Sequence, residues 1–221
     1  MMIRIIMLGA PGSGKGTQTQ LLSKYFCIPF ISAGEILRQE IRKNEKNKNY
    51  IKNIINKGKL VKNSFIIKII KKKIQEKIYL NGFILDGFPR TIKQAESLKK
   101  YIKIEFILYL KIKLENIINR IEGRLIHESS GRTYHETLNP PKKKNIDNIT
   151  GELLTKRKDD TKKIIITRLQ EYEKFTKPLI KWFKKEELKN TIKYLEINAN
   201  TSIQYIHKKI IKKLNINQKN N

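Results

Sequence analysis

Cysteine is almost absent from this chain of 221 residues, which contains only Cys27. A single cysteine cannot form an internal disulfide, which excludes the disulfide-rich secreted scaffolds and is typical of a reducing compartment. We interpret Cys27 as a buried structural thiol. Long apolar runs are also missing, since none approaches the roughly 18 residues that a membrane-spanning helix needs. Met1–Leu8 is too short for a signal peptide, so we expect a soluble, cytoplasmic protein.

Acidic residues are scarce: 20 Asp and Glu stand against 48 Lys and Arg, a formal net charge of +28. A strong positive charge can indicate a nucleic-acid-binding surface. The lysines, however, are spread from Lys43 to Lys219 among abundant Ile and Asn, rather than clustered. This distribution favours a compositional drift of the whole chain, so specific binding of nucleic acid is the less favoured interpretation.

Short apolar runs alternate with longer segments of helical periodicity, which is the pattern of βα units and a parallel sheet. The predicted strands are Ile3–Leu8, Pro29–Ser32, Gly82–Asp86, Glu105–Ile112 and Thr191–Asn198. The fold class is therefore α/β, with a parallel five-stranded sheet flanked by helices.

Apolar residues at spacings of three and four predict two of the helices. The first contains Ile66, Ile70 and Ile74 and places Lys71–Lys73 on or beside its solvated face. The second runs from Ile203 to Leu214. The polar segment Asn215–Asn221 after it is expected to be frayed.

Two segments break the alternation of strands and helices. Residues 33–61 are polar and helix-like where a βα unit would be shorter. Residues 125–160 contain the turn signals SGR, NPP and TGE without helical periodicity. Insertions of this size in a phosphate-binding fold are commonly functional lids.

The stretch GAPGSGKGT, Gly9–Thr17, matches the G-x-x-x-x-G-K core of a P-loop, between the first strand and a helix predicted at Gln18–Phe26. Glycines let successive N–H groups face a phosphate, and the helix N-terminus adds partial positive charge. A plain Gly-rich turn is the alternative, which the agreement of strand, loop, lysine and helix disfavours. The residues expected to bind donor phosphates are Gly12, Ser13, Gly14, Lys15, Gly16 and Thr17. Because Gly16 replaces the usual Ser or Thr after Lys15, direct coordination of Mg²⁺ by a hydroxyl is not implied.

Further motifs follow this loop, and together they resemble those of adenylate kinases, in order from about residue 2 to residue 214. They are DGFPR at Asp86–Arg90, GR at Gly123–Arg124, SGRTYH at Ser130–His135, NPP at Asn139–Pro141 and RKDD at Arg157–Asp160. The resemblance implies a doubly wound P-loop core formed by residues 1–31, 62–122 and 161–221. It also implies a monophosphate-binding insert at 32–61 and a lid at 123–160, which coincide with the two breaks.

The resemblance implies reversible transfer of the ATP γ-phosphoryl group to AMP, giving two ADP and serving adenine nucleotide homeostasis. Such transfer depends on positioning and positive charge around the moving group. Arg38 and Arg90 would hold the α-phosphate of the acceptor. The residues that would close around the γ-phosphate are Lys15, Arg124, Arg157 and Arg168. Taken alone, any arginine of so basic a chain would be read as a surface residue.

Other positions are assigned by the same resemblance. Asp86 would orient Mg²⁺ and its waters at the end of a strand, with a loop-capping role as the alternative. Gly87, Phe88 and Pro89 would turn the chain so that Arg90 faces the acceptor. The residues expected around the acceptor adenine are Gln94, Lys59, Leu60 and Val61, and Val61 fits plain packing equally well.

Departures from the family pattern touch base recognition. Ala33 stands where many relatives carry a Thr near the monophosphate base, and Leu138 stands where an aromatic residue often covers the donor adenine. Asn198–Thr201 replaces a common Asp-Gly-Thr turn. Thr133, Tyr134 and Thr201 are carried over as donor-site contacts.

Four polar residues of the lid stand where some relatives place zinc-binding cysteines: His127, Ser130, Asp147 and Thr150. Hydroxyls are poor zinc ligands. We therefore predict hydrogen bonding among the four and a lid without zinc.

The sequence thus predicts a monomeric ATP:AMP phosphotransferase that uses ATP with Mg²⁺, the metal being held mainly by phosphates and waters. A kinase for UMP or GMP is the alternative of the same class. A basic nucleic-acid-binding protein with a vestigial nucleotide site is the alternative of another class. Lys15, Asp86 and all of the arginines argue against that second alternative, because a vestigial site has no physical reason to retain them together.

Overall fold

The computed structural model describes residues 3–43, 45–157 and 159–219. The strands are β1 (Ile3–Gly9), β2 (Phe30–Ser32), β3 (Gly82–Asp86), β4 (Phe106–Lys111), β5 (Arg124–Ile126), β6 (Thr133–His135) and β7 (Lys193–Asn198). The α-helices are α1 (Lys15–Phe26), α2 (Ala33–Lys43), α3 (Glu45–Asn56), α4 (Asn63–Ile74), α5 (Ile92–Lys99), α6 (Leu114–Glu122), α7 (Lys162–Glu171), α8 (Lys177–Glu187) and α9 (Ile203–Lys219). A 3-10 turn covers Lys77–Tyr79, and a π-helical turn covers Tyr172–Thr176.

Five strands form one parallel sheet in the order β2-β3-β1-β4-β7. All five predicted strands are confirmed, with ends shifted by one or two residues at most. Their near-continuous apolar character has a physical cause: helices cover both faces of a parallel sheet. In β1, Ile6 and Leu8 belong to the core on one face, whereas Ile5 and Met7 belong to the core on the other.

Strand β1 lies at the switch point of the sheet, because it pairs with β3 on one side and β4 on the other. Ligands of open parallel sheets bind in the crevice at such a point, beyond the carboxyl ends of the strands. The loop after β1 and the residue that ends β3, Asp86, therefore share one edge of the molecule.

The two segments that break the alternation have different structures. Residues 33–56 contain α2 and α3, as their helix-like composition predicts. Residues 123–160 contain the antiparallel pair β5–β6, and a small apolar cluster of Leu125, Tyr134 and Leu154 supports it. In the described ranges, no helix is both long enough and apolar enough to cross a membrane.

The helical predictions are confirmed in part. Helix α4 forms as expected, with Lys71 and Lys72 exposed. Helix α1 begins at Lys15, three residues before the predicted Gln18, because Gly14 before it adopts a left-handed conformation (φ 92°) that ends the loop. Helix α9 continues to Lys219. The frayed-tail prediction is therefore wrong for residues 215–219, and residues 220–221 lie outside the described residues.

The prediction of a buried thiol at Cys27 is wrong, because this side chain is exposed. Cys27 caps α1 in the left-handed conformation, with φ 52°, and its N–H group donates to the carbonyl of Ser23. This cap turns the chain away from the helix axis, and the next residue, Ile28, enters the core instead.

Candidate phosphotransfer site

A cavity of about 410 Å³ opens at the carboxyl edge of the sheet, a volume suited to a small-molecule ligand. Its wall brings together the following predicted site residues: Gly12, Ser13, Gly14, Lys15, Gly16, Thr17, Ala33, Arg38, Lys59, Leu60, Val61, Asp86, Gly87, Pro89, Arg90, Gln94, Arg124, Thr133, Tyr134, Arg157, Arg168 and Thr201. Leu138 also lines the cavity.

Phe88 is the predicted site residue that the structure places elsewhere. Its side chain is 2% exposed and belongs to the hydrophobic core. Gly87 before it has φ 76°, a turn that sends Phe88 inward while Pro89 and Arg90 reach the cavity wall. Phe88 thus belongs to the turn that presents Arg90, and its side chain packs in the core rather than on the cavity wall.

The P-loop packs so closely against β4 and α6 that side chains have no room at two of its glycines. A Cβ atom at Gly9 would lie 2.8 Å from the carbonyl oxygen of Leu110, and one at Gly12 would lie 3.1 Å from that of Ile117. Both residues also have positive φ, of 148° and 75°, which side chains disfavour. The glycines thus allow the loop backbone to curl beneath a bound phosphate.

Lys15 arches over this loop, and its Nζ donates to the carbonyl oxygens of Gly9 at 2.8 Å and Ala10 at 2.9 Å. Burial lowers the Lys15 pKa to about 8, which Asp86 opposes and nearby arginines reinforce. Because this pKa lies above neutrality, Lys15 is mostly charged at pH 7. A bound anion would stabilise that charge and raise the pKa.

Five guanidinium groups line the same cavity as Lys15 and form the arginine cluster: Arg38, Arg90, Arg124, Arg157 and Arg168. Burial is the main cause that lowers the pKa of Arg157 and of Arg168 to about 9, and repulsion from Arg124 adds to it. Burial likewise lowers the Arg90 pKa. Charged groups held this close to one another favour a polyanionic ligand, which would relieve their repulsion.

Three carboxylates hold the arginine cluster in place. Asp160 accepts from Arg124 Nε at 2.8 Å and from Arg168 at 3.3 Å. Asp159 pairs with Arg168, and Glu35 pairs with Arg38 and, at 3.6 Å, with Arg157. Sequence analysis noted the RKDD motif but gave Asp159 and Asp160 no role, because their pairing with Arg168 and Arg124 leaves no local pattern.

Arg90 is held through its backbone as well as its side chain. Its N–H group donates to Gln94 Oε1 at 2.7 Å, and its Nε donates to the Gly87 carbonyl at 2.8 Å. Gln94 in turn donates from Nε2 to Asn63 at 2.8 Å. Gln94 therefore lines the cavity, as predicted, and also fixes the position of Arg90.

Asp86 ends β3 at the cavity, beside the glycine that follows Lys15. A Cβ atom at Gly16 would lie 3.6 Å from Asp86 Oδ2, so the missing side chain leaves space next to this carboxylate. In the described ranges no three His, Cys, Asp or Glu side chains are grouped to hold a metal ion. A carboxylate next to open space fits a role in orienting the water shell of Mg²⁺ better than direct coordination by several side chains.

The end of the cavity next to Thr201 contains residues that sequence analysis missed. Arg120 of α6 donates to the carbonyl of Ala199 at 2.7 Å. Gln18 of α1 is buried, and its Nε2 donates to the carbonyl of Ile203 at 2.9 Å. Thr201, a predicted contact, has a buried hydroxyl without a hydrogen-bond partner among the described residues, as expected of a group that awaits a ligand.

The four polar residues of the lid form the hydrogen bonds that their sequence predicts. His127 Nδ1 lies 2.7 Å from Ser130 Oγ, and its Nε2 lies 3.2 Å from Thr150 Oγ1, which donates to Asp147 at 3.0 Å. Arg132, a residue that sequence analysis missed, lies 3.2 Å from His127 Nδ1. Since arginine can only donate, Nδ1 is the acceptor in this contact.

Asp147 is the centre of this lid network. Arg132 donates to both of its oxygens, at 2.9 and 2.7 Å, and the hydroxyl of Tyr134 donates at 2.9 Å. Chiefly through Arg132, these donors hold the pKa of Asp147 well below its usual range. Tyr134, predicted as a donor-site contact, thus lines the cavity, and its hydroxyl supports the lid.

The lid is expected to keep its shape without metal, because its polar groups already satisfy one another and the Arg132 charge repels a cation. Elemental analysis should find no stoichiometric zinc, and a chelator should leave the melting temperature unchanged. Asp147→Asn, which leaves Arg132 without its buried partner, should instead lower the melting temperature by at least about 5 °C. One zinc per chain, together with a loss of stability on chelation, would contradict the hydrogen-bonded lid.

Comparison with known proteins agrees with this geometry. The family model described as adenylate kinase matches residues 7–188. An adenylate kinase of Buchnera aphidicola subsp. Cinara cedri (strain Cc) is 66% identical over 218 residues, which cover 99% of this chain and 100% of that protein. One from Buchnera aphidicola subsp. Acyrthosiphon pisum (strain Tuc7) is 47% identical over 94% of this chain and 97% of its own. An adenylate kinase from Blochmanniella pennsylvanica (strain BPEN) is 44% identical over 95% of this chain and 98% of its own length.

Proposed function

This chain belongs to the adenylate kinase family of phosphotransferases, and from that premise we propose how its residues transfer the ATP γ-phosphoryl group to AMP. The observation that carries the proposal is the convergence of Lys15 and the arginine cluster on one cavity beside a P-loop. Positive charge arranged in advance around a moving phosphoryl group is the main requirement of this reaction. A nucleic-acid-binding protein with a vestigial nucleotide site is not favoured.

The donor nucleotide would bind along the P-loop, residues Gly12–Thr17. The N–H groups of the loop and of the first turn of α1 would face its phosphates, and Lys15 would reach the terminal ones. Thr133, Tyr134 and Thr201 would contact the rest of the donor, where the unpartnered Thr201 hydroxyl supports this assignment.

The acceptor would bind on the opposite side of the cavity. Arg38 and Arg90 would hold its α-phosphate, because both side chains reach the cavity from different elements. The residues proposed to enclose its base are Ala33, Lys59, Leu60, Val61 and Gln94. Gly87 and Pro89 would shape the turn that presents Arg90.

The transferring group would lie between these two sites. Arg124, Arg157 and Arg168 would stabilise the charge that develops on its oxygens, and Lys15 would follow it from the donor. Mg²⁺ bound with ATP neutralises phosphate charge, and we propose that Asp86 orients its waters while phosphates supply most of its ligands.

We propose that the core comprises residues 1–31, 62–122 and 161–221, and that the insert at 32–61 and the lid at 123–160 close over the nucleotides. Contacts between these parts support closure. Gln20 Nε2 donates to the Gly131 carbonyl at 2.9 Å, and Arg42 reaches Glu128 at 3.3 Å. Closure would exclude water, which would otherwise compete as the phosphoryl acceptor.

We further propose a cytoplasmic monomer without zinc. One chain supplies the P-loop and the whole arginine cluster, so the site needs no second subunit. The exposed thiol of Cys27 is suited to a reducing compartment.

A coupled assay with ATP and each monophosphate tests the substrate assignment. We expect AMP to give a kcat/KM at least about 100-fold above those of UMP and GMP, because a site that hydrogen-bonds one base leaves polar groups unpaired with another. Lys15→Met, assayed in parallel, shows whether the turnover belongs to this site. A value for UMP or GMP equal to that for AMP would identify a different monophosphate kinase.

A further inference from the structure

Between α7 and α8 the helical hydrogen bonding changes to a π-helical turn at Tyr172–Thr176. A π turn adds one residue to a helical turn, and such turns are frequent at functional sites. The first and last residues of this turn, Tyr172 and Thr176, are both buried and both line the nucleotide cavity. The turn therefore faces the site, although the proposed mechanism uses neither residue.

Thr176 makes one hydrogen bond that reaches across the chain. Its Oγ1 donates to the carbonyl oxygen of Arg90 at 3.1 Å. That carbonyl belongs to the loop between β3 and α5, where no helix or strand hydrogen bond fixes it. Because Gln94 accepts the N–H of Arg90 on the other side, the Arg90 backbone is held at both of its polar groups.

We propose that Thr176 is a positioning residue, which sets the place of Arg90 in the cavity through the hydrogen bond to its carbonyl. The inference rests on the role that we propose for Arg90 at the acceptor phosphate. The π turn follows directly on α7, whose last turn carries Arg168. One short helical segment thus connects Arg168, proposed to bind the transferring phosphate, to Thr176, which holds Arg90 at the acceptor phosphate.

Spacing between two phosphate-binding arginines matters because transfer requires donor and acceptor oxygens in line, and a misplacement of about 1 Å can cost about 100-fold in rate. A hydroxyl on the π turn can keep that spacing only while it donates to the Arg90 carbonyl. Threonine and valine have nearly the same shape, so replacement by valine removes the donor with little change in packing.

The test compares three variants with the wild-type protein. Thr176→Val should lower kcat about tenfold, with less than a threefold change in the KM of either nucleotide. Thr176→Ser, which keeps the donor, should restore at least half of wild-type kcat. Thr167→Val is the matched control, because the Thr167 hydroxyl donates to the Lys163 carbonyl of its own helix at 3.2 Å and does not line the cavity. It should keep wild-type kcat.

A double-variant comparison separates this inference from the proposed function. Arg90→Met should lose more activity than Thr176→Val, and the double variant should lose no more than Arg90→Met alone. Wild-type activity of Arg90→Met would overturn the proposed role of Arg90. If Arg90→Met is impaired, three results would each overturn the positioning role of Thr176. Thr176→Val could keep wild-type kcat, or Thr176→Ser could fail to restore kcat. The third is a double variant in which the two single losses simply add.

Discussion

Lys15→Met is expected to lower kcat by about 10³-fold, roughly 4 kcal/mol of activation free energy, while the protein stays folded. The Lys15 ammonium is the one cation that the P-loop itself carries, and among the described residues its Nζ donates hydrogen bonds to the carbonyls of Gly9 and Ala10. A phosphate bound in the loop would lie within reach of this charge. Methionine fills similar space but provides no charge.

The fold should tolerate this change because the Lys15 charge does not stabilise it. Its pKa in the folded protein, about 8, is lower than the ordinary 10.5. The unfolded chain therefore binds more protons between these two values, and stability rises with pH across that window. At pH 7 the buried charge opposes folding, so the melting temperature of Lys15→Met should equal or exceed that of the wild-type protein.

Steady-state assay and thermal unfolding of purified Lys15→Met measure the two effects. Lys24→Met is the matched control, since Lys24 lies on the same helix α1 and is exposed. It should leave both turnover and melting temperature unchanged. Retention of half of wild-type turnover by Lys15→Met would remove Lys15 from the mechanism.

A bisubstrate analogue that joins two adenosines through five phosphates is expected to raise the melting temperature by about 5–10 °C, even at about 300 mM salt. It spans the proposed donor and acceptor sites together. At about 100 times its dissociation constant it should add about 2.7 kcal/mol to the free energy of unfolding. The analogue would meet the charges of Lys15, Arg157 and Arg168. These charges lie in a cavity, where salt screens their attraction to the phosphates less than it screens interactions between surface charges.

Random-sequence RNA is the matched comparison for this experiment. It would bind exposed lysines such as Lys71 and Lys72, and such diffuse contacts lose affinity steeply between about 50 and 200 mM salt. Any shift from RNA should therefore largely disappear while that from the analogue persists. The reverse order, with RNA effective at high salt and the analogue inert, would favour the nucleic-acid-binding alternative.

The strands and the P-loop were predictable because their signals are local. A strand buried on both faces needs a continuous apolar run, and a loop that passes 2.8 Å from another backbone at Gly9 excludes side chains at that position. Both constraints act on neighbouring residues of the chain. The lid network was anticipated from the resemblance instead, because its hydrogen bonds join residues as far apart as His127 and Thr150.

Two positions show how tertiary geometry can override a local pattern. Phe88 lies within a motif that otherwise faces the cavity, yet the turn at Gly87 directs its side chain into the core. Cys27 has the small apolar character of a core residue, yet the left-handed cap of α1 leaves it exposed. In both cases the backbone conformation at a single residue decides whether the side chain is buried. The amino-acid composition of the segment does not predict that conformation.

The sequence by itself determined the α/β class, the order of the strands along the chain, the P-loop and most of the residues that line one cavity. Only the tertiary structure decided which groups hold those residues in place. Asp160 pairs with an arginine 36 residues away, and Thr176 reaches the Arg90 carbonyl across 86 residues. Contacts of this kind have no periodicity along the chain, because they exist only after the sheet and its helices have packed and brought distant loops to one edge.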